Sequence, residues 1–318
     1  MAKKKEIEQE DFQDLKPLRR RKKKETNKPW GKKERLITLI VLALTVLIAT
    51  VLSLSARAWK LPNTPKINIP NFKNFGFLQE KTVIVGNEDA QINQQKIEKT
   101  KTDFKNTTDG YSGIYSFYIY DLNGDYFYGV NNQETLQAAS LIKLPVMAIA
   151  FQKLESEELN EEEILPLLEA MGKRSDNEAF TKTVEILGED EVIVEIKNLG
   201  MHSTSFSDNQ TTPEDVGMFF KKLYGRELLD EEYTSLFLQF LTDTIYEDWI
   251  TPGIPEGVVV SHKYGLEIHS VSDGGIVFSD KPFVMVIMTD GVVEKEADNI
   301  FPTLSKLLYD GHTNEITN

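Results

Sequence analysis

Hydrophobic and polar positions divide the chain into stretches of different character. Leu36 to Ala56 form 21 consecutive residues with no charge. As a helix they span about 31 Å at about 1.5 Å per residue, close to a bilayer core of about 30 Å. Residues 57–88 carry Pro62, Pro65 and Pro70 among several asparagines, with no amphipathic period, and read as a linker. A polar helix is predicted over 90–105. Ile114 to Tyr120 is rich in β-branched and aromatic residues and reads as a strand. Asn123-Gly124 predicts a tight hairpin turn, with Tyr126 to Val130 as the return strand. Residues 140–250 read as mostly helical, with apolar spacing in Ala179–Leu187 and Val216–Leu223. Thr212-Pro213-Glu214-Asp215 marks a helix start: a capping hydroxyl, proline at the first position and acids in the first turn. Strands are predicted again over 258–264, 275–278 and 283–289, and a last helix over 295–308. Two strands, a helical block, three strands and a helix define an α+β chain. The short hairpin links favour an antiparallel sheet with helices on it and a separate all-α lobe.

Charge sharpens the reading of the N-terminal part. Residues 1–35 hold 14 Lys/Arg against 7 Asp/Glu, a net +7, whereas residues 36–318 stand at −21. A basic tail of 35 residues preceding an apolar helix places the N-terminus in the cytoplasm and the rest outside it. The apolar stretch is longer than the core of a signal peptide, so a retained transmembrane helix at 36–56 is expected rather than a cleaved leader. Beside that helix the basic residues meet anionic lipid rather than nucleic acid, and the net charge of −14 argues against a nucleic-acid partner. The chain has no cysteine. A disulfide scaffold, cysteine-ligated metal and a thiol nucleophile are therefore excluded. Four histidines without metal-ligand spacing point to no metal and no cofactor. His262 and His269 read as packing or edge residues.

Three short stretches carry candidate chemistry. In Gln137-Ala-Ala-Ser140-Leu-Ile-Lys143-Leu-Pro-Val-Met147 a run of small residues leads into a helix. Residues three apart share a helix face, so Lys143 projects beside the Ser140 hydroxyl and is a candidate base for it. Alone the pattern is weak, since it recurs at Thr102–Lys105 and Thr303–Lys306 on polar helices. Ser175-Asp176-Asn177 follows 35 residues on. Ser207-Asp208-Asn209 has the same letters, but only the first copy opens into an apolar-periodic helix, so Ser207–Asn209 is read as ordinary loop chemistry. His262-Lys263-Tyr264-Gly265 ends a strand. Lys263 there is a candidate cation, and Gly265 permits close backbone approach. A lone Lys-x-Gly is equally a solvated strand end.

In this order the three stretches resemble the active-site set of class A β-lactamases and penicillin-binding proteins. Leu199-Gly200-Met201, Thr211-Thr-Pro213 and Ser272-Asp273-Gly-Gly275-Ile-Val277 add to the resemblance, which covers about residues 89–312. It implies a five-stranded antiparallel sheet with flanking helices plus an all-α lobe, preceded by the transmembrane helix. It further implies Ser140 as the acylated nucleophile, with Lys143 as base. Ser175 would pass a proton to the leaving nitrogen, and Asn177 would orient Lys143 and the substrate amide. Lys263 would hold a substrate carboxylate and keep Ser175 poised. The N–H groups of Ser140 and Leu266 would form the oxyanion hole. The implied partner is a β-lactam or a cell-wall D-alanyl peptide. Two departures stand out. Tyr264 replaces the usual Thr or Ser, which moves a hydroxyl away from the backbone of this substrate-binding segment. The loop glutamate that drives hydrolysis of the acyl-enzyme is missing, because residues 202–210 contain none. Slow or absent deacylation is therefore expected. The competing expectation is a non-catalytic peptidoglycan- or protein-binding module on the same fold.

Overall fold

Alternation along the first strand builds two cores at once. In β1 (Ile114–Asp121) Tyr118 and Tyr120 face one hydrophobic cluster, while Tyr115, Phe117 and Ile119 face another. This is what a strand buried on both faces requires. β1 pairs antiparallel with β2 (Tyr126–Val130) and with β7 (Phe283–Asp290); β6 (Ser270–Phe278) and β5 (Val259–Glu267) complete a sheet of order β2-β1-β7-β6-β5. The five strands pair antiparallel throughout, and β5 is an edge strand. A second, two-stranded sheet pairs β3 (Leu136–Gln137) with β4 (Gln210–Thr211).

The computed structural model describes residues 88–314 and, apart from them, Lys33, with the backbone alone for residues 88–93. The predicted transmembrane helix at 36–56, with the tail and linker around it, lies outside the described residues. Among those residues no helix is long and apolar enough to cross a membrane.

One sheet face is covered by α1 (Glu88–Thr108) and α8 (Glu294–Thr313), which bury Ile97, Phe104, Phe301 and Leu304 against it. The other face meets the helical block. This comprises α2 (Lys143–Glu155), α3 (Glu161–Arg174), α4 (Asn177–Leu187), α5 (Glu189–Asn198), α6 (Pro213–Tyr224) and α7 (Glu231–Phe240). α2 is buried on nearly every side, from Lys143 to Phe151. That matches its apolar character all round, which marks an interior helix. The Thr212 hydroxyl caps α6 by accepting from Asp215 N–H at 3.0 Å, with Pro213 at the first position. The order of elements agrees with the sequence reading, and the five-stranded sheet is present.

The first hairpin turn differs from expectation. A two-residue turn would place positive φ at Asn123 and Gly124. Instead the Asp121 carboxylate accepts from the N–H groups of Asn123 and Gly124 at 2.9 and 2.6 Å, and Asp125 takes the left-handed conformation at φ +51°. The side chain of Asp121 thus sets a longer turn.

Gly217 marks the closest approach of α6 to the sheet. A Cβ there would stand 2.2 Å from the Tyr118 ring. Gly217→Ala is expected to lower stability by about 1–3 kcal/mol, as overpacking of a filled core does. Urea unfolding checks this; an unchanged midpoint would mean that α6 moves away freely.

Candidate active site

The chain turns sharply before Ser140. Ala139 adopts φ +48°, a conformation that costs a residue with a Cβ roughly 1–2 kcal/mol. Ala139–Ile142 then form a single 3₁₀ turn that runs straight into α2 at Lys143. Side chains three apart eclipse in a 3₁₀ turn, so Lys143 stacks beside Ser140 and its Nζ donates to Ser140 Oγ at 3.2 Å. Pro145 falls in the first turn of α2, where its missing N–H costs little.

A second turn delivers Ser175 and Asn177. Ser175 ends α3 in the left-handed conformation, φ +53°. Asp176 is the N-cap of α4, its carboxylate accepting from Glu178 and Ala179 N–H, both at 2.9 Å. The middle residue of Ser-Asp-Asn is therefore the cap that aims the outer two. Lys143 Nζ donates to Asn177 Oδ1 at 2.6 Å, to the Ser175 carbonyl at 2.5 Å and to Ser175 Oγ at 3.3 Å.

β5 closes the cluster. Alternation puts Ser261, Lys263 and Gly265 on the face toward Ser140, and Val260, His262 and Tyr264 on the face toward α8. Lys263 Nζ donates to Ser175 Oγ at 2.9 Å and to its neighbour's carbonyl, Tyr264 O, at 2.9 Å. A Cβ on Gly265 would lie 3.1 Å from Ser140 N and 3.2 Å from Ala138 O, so glycine lets the strand edge approach the backbone of Ser140. Leu266 follows it and is 46% exposed. Ser140, Lys143, Ser175, Asn177 and Lys263 thus meet, although they come from separate stretches of chain.

Both amines are buried, Lys143 2% and Lys263 1% exposed. Burial lowers Lys143 to about 8, partly offset by the Asp176 carboxylate. Burial, reinforced by the positive charge of Lys143, lowers Lys263 to about 7. Near neutrality the pair is poised to hold and pass a proton, because two close amines resist carrying two charges.

Three placements add to the sequence reading. Tyr264 does not line the cluster. Its ring stacks on Trp249 at 3.9 Å and on Tyr246 at 4.6 Å. Burial, with Tyr246, Asp298, Asp273 and Asp248 nearby, pushes its hydroxyl well above the usual range. The cause is strand alternation, which turns residue 264 away from the face of residue 263. Second, Ser207–Asn209 is a loop, as read, and it reaches the site. The Asn209 carbonyl accepts from Ala138 N–H at 2.9 Å and braces the approach to Ser140. Third, His262 is no simple packing residue. Its Nδ1 bonds Asp273 Oδ1 at 2.7 Å and its Nε2 bonds Glu247 Oε2 at 3.2 Å. Desolvation opposes its charge, but the two carboxylates outweigh that and raise it to about 10. Glu247 is held down at about 2: burial opposes this, and the His262 cation and two threonine hydroxyls overcome it. No spacing in the sequence announces this trio, because the partners lie 15 residues before and 11 after His262.

No described carboxylate hydrogen-bonds Ser140, Lys143 or Ser175. Asp208 accepts from Ser205 within its own loop at 2.7 Å, and Asp215 is tied to Ser203 N–H and Thr204 Oγ1, both at 2.8 Å. Among the described residues no group of three histidine or carboxylate side chains is arranged to hold a metal ion.

A sheet with a helical block, and between them a serine flanked by two buried amines, defines a serine-hydrolase architecture of the β-lactamase kind. Residues 99–167 and 163–311 match the beta-lactamase enzyme family, and the chain belongs to that family. Among solved structures it is similar to PBP-A, at 18% identity and TM-score 0.63, covering 67% of this chain and 95% of that one. A mutant of PBP-A, solved as an acyl-enzyme complex with penicillin G, aligns at 17% identity and TM-score 0.60, covering 69% and 95%. A beta lactamase from Xanthomonas campestris pv. campestris aligns at 15% identity and TM-score 0.63, covering 68% and 98%. At these identities the likeness is one of fold. No curated protein matches the chain.

Proposed function

We propose that this chain is a membrane-anchored, extracytoplasmic serine acyltransferase or hydrolase, acylated at Ser140 by a β-lactam or a D-alanyl peptide and slow to release the acyl group. The observation that carries the reading is the Lys143 amine, buried and 3.2 Å from Ser140 Oγ. In its neutral form Lys143 takes the Ser140 proton while Oγ bonds to the substrate carbonyl carbon. The N–H groups of Ser140 and Leu266 receive the charge that develops on the carbonyl oxygen. The C–N bond then breaks. The departing nitrogen takes the proton of Ser175 Oγ, and Lys143, 3.3 Å from that oxygen, returns to it the proton gained from Ser140, while Lys263 holds the same oxygen at 2.9 Å. Asn177 keeps Lys143 aimed. The penicillin adduct of the PBP-A mutant supports the choice of ligand class. Residues 36–56 supply the anchor.

Incubation with a fluorescent penicillin is expected to label the protein covalently, and Ser140→Ala to abolish the label. Folded protein that takes no label would favour a peptidoglycan- or protein-binding module instead. Among the described residues no carboxylate is bonded to Ser140 or Lys143, which leaves water at the ester without a dedicated base. With a chromogenic cephalosporin the expected result is a burst of one equivalent and little turnover beyond it. Steady hydrolysis over many equivalents would contradict slow deacylation.

A further inference from the structure

Resting on the acyl-transfer reading, we propose that Phe180, backed by Phe206, is a water-excluding residue: its ring fills the space beside Lys143 where a hydrolytic water would stand, and so prolongs the life of the acyl group on Ser140. Hydrolysis would bond a water oxygen to the acyl carbon while the Lys143 lone pair takes the water's proton. The C–Oγ bond would then break, and Ser140 Oγ would receive that proton. The amine that starts the reaction could therefore also end it, provided that water reaches it. A missing carboxylate does not by itself forbid this step.

The surroundings of Lys143 close it off. Asn177 and Phe180 stand three apart in α4 and share one of its faces. Asn177 Oδ1 accepts from Lys143 Nζ at 2.6 Å, and the same Nζ lies over the Phe180 ring, 5.7 Å from its centre. A neutral lysine keeps two N–H groups, and Asn177 Oδ1 and the Ser175 carbonyl, at 2.6 and 2.5 Å, are placed to take both. A water bonded to the amine at about 2.8 Å and resting on the ring at about 3.5 Å would need about 6.3 Å between amine and ring centre. The 5.7 Å present admits none between them. The ring also has no oxygen or nitrogen to hold a water in place. Phe206 supports it from the opposite loop: the two ring centres are 6.2 Å apart, and both side chains are half-buried against the core of the helical block. That loop is fixed. Ser205 and Gln210 exchange two backbone hydrogen bonds, at 2.8 and 3.0 Å, and Phe206 begins the turn between them. Thr204 Oγ1 bonds Thr211 Oγ1 at 2.7 Å and Asp215 at 2.8 Å, and Asn209 O accepts from Ala138 N–H at 2.9 Å. What this loop sets against α4 is thus a phenyl ring, while its own carboxylate, Asp208, accepts from Ser205.

The test follows the loss of a preformed adduct. Wild type, Phe180→Ala, Phe180→Leu and Phe206→Ala are acylated with benzylpenicillin, freed of excess reagent, and read by intact mass over time. Phe180→Ala is expected to lose the adduct about tenfold faster than wild type or more, a part of what a base brought into contact with water contributes. Phe206→Ala is expected to move in the same direction by a smaller factor. Phe180→Leu, which keeps most of the apolar volume, is expected to stay within about threefold of wild type. A rise in hydrolysis is not what a merely damaged site would give. Equal rates of loss in wild type and Phe180→Ala, or a Phe180→Leu rate as fast as that of Phe180→Ala, would overturn the proposal. Should Phe180→Ala not fold, Phe206→Ala decides, and an unmoved rate there overturns it. Absence of any adduct on folded wild-type protein would overturn the acyl-transfer reading and the water-excluding role with it. Adducts that form in all four proteins and leave at one rate would overturn the water-excluding role alone.

Discussion

Lys143→Ala is expected to lower the second-order rate constant for acylation of Ser140 by about 10²–10⁴-fold, the usual contribution of a positioned general base. No other described side chain stands ready to take the proton: the hydrogen-bond partner of Ser140 Oγ is Lys143 Nζ, and Lys263 is bonded to Ser175. The wild-type pH profile follows from the same group. Burial lowers Lys143 to about 8, so its neutral, proton-accepting form grows as pH rises. The acylation rate is expected to climb about tenfold per pH unit below that value and to level above it. Stopped-flow mixing with a β-lactam across pH 6–10 measures both effects. A melting temperature close to wild type separates lost chemistry from a lost fold. A flat profile, or a Lys143→Ala variant that acylates within about tenfold of wild type, would remove Lys143 from the role of base.

His262→Ala is expected to cost about 3–5 kcal/mol of stability, the penalty for stripping the partner from a buried charge. Asp273, 0% exposed, would keep only the Ile250 N–H of the two bonds it now accepts. The sign of the pH dependence is fixed by the raised value of His262. Relative to an unfolded value of 6.5, a folded value of about 10 gives a contribution complete below pH 6.5 and lost as pH rises through about 10. Glu247, lowered to about 2, adds a contribution present above its ordinary value of 4.5 and lost as pH falls toward 2. Urea midpoints are therefore expected to decline above neutral pH in the wild type, and less steeply in His262→Ala. Equal slopes in the two proteins would show that the imidazole is not charged in the folded state.

The fold was legible where a periodic pattern is strong. Ile114–Tyr120 and Phe283–Thr289 read as strands because both faces of β1 and β7 are apolar and buried. β6 was legible only from Gly275. Its first half, Ser270-Val-Ser-Asp273, is polar by letter yet fully buried, with Ser270 Oγ bonding Thr289 O at 2.8 Å and Asp273 bonding His262. A polar run buried inside a sheet carries no signal in a single sequence, because the residues that cover it, and the partners of Ser270 and Asp273, lie elsewhere in the chain. The site divides in the same way. Ser140, Lys143, Ser175, Asn177 and Lys263 were legible as short local motifs whose letters the resemblance tied together. Tyr264 was misplaced because its substitution was weighed by chemistry rather than by the alternation that turns it to the far face. Glu247, Tyr246 and Trp249 had no local motif at all, and the motif that holds His262 gave no sign of its carboxylate partners. Sheet register and a pinned loop bring them together, and neither can be read from spacing.

The central claim is that Ser140 is the acylated oxygen. Exposing the full chain to benzylpenicillin, quenching, digesting and mapping the adduct by tandem mass spectrometry tests this most directly. The expected result is one adduct per chain on the peptide Ala138–Lys143, localised to Ser140 and absent from Ser140→Ala. An adduct on Ser175 or on either lysine, or one that persists in Ser140→Ala, would contradict the claim.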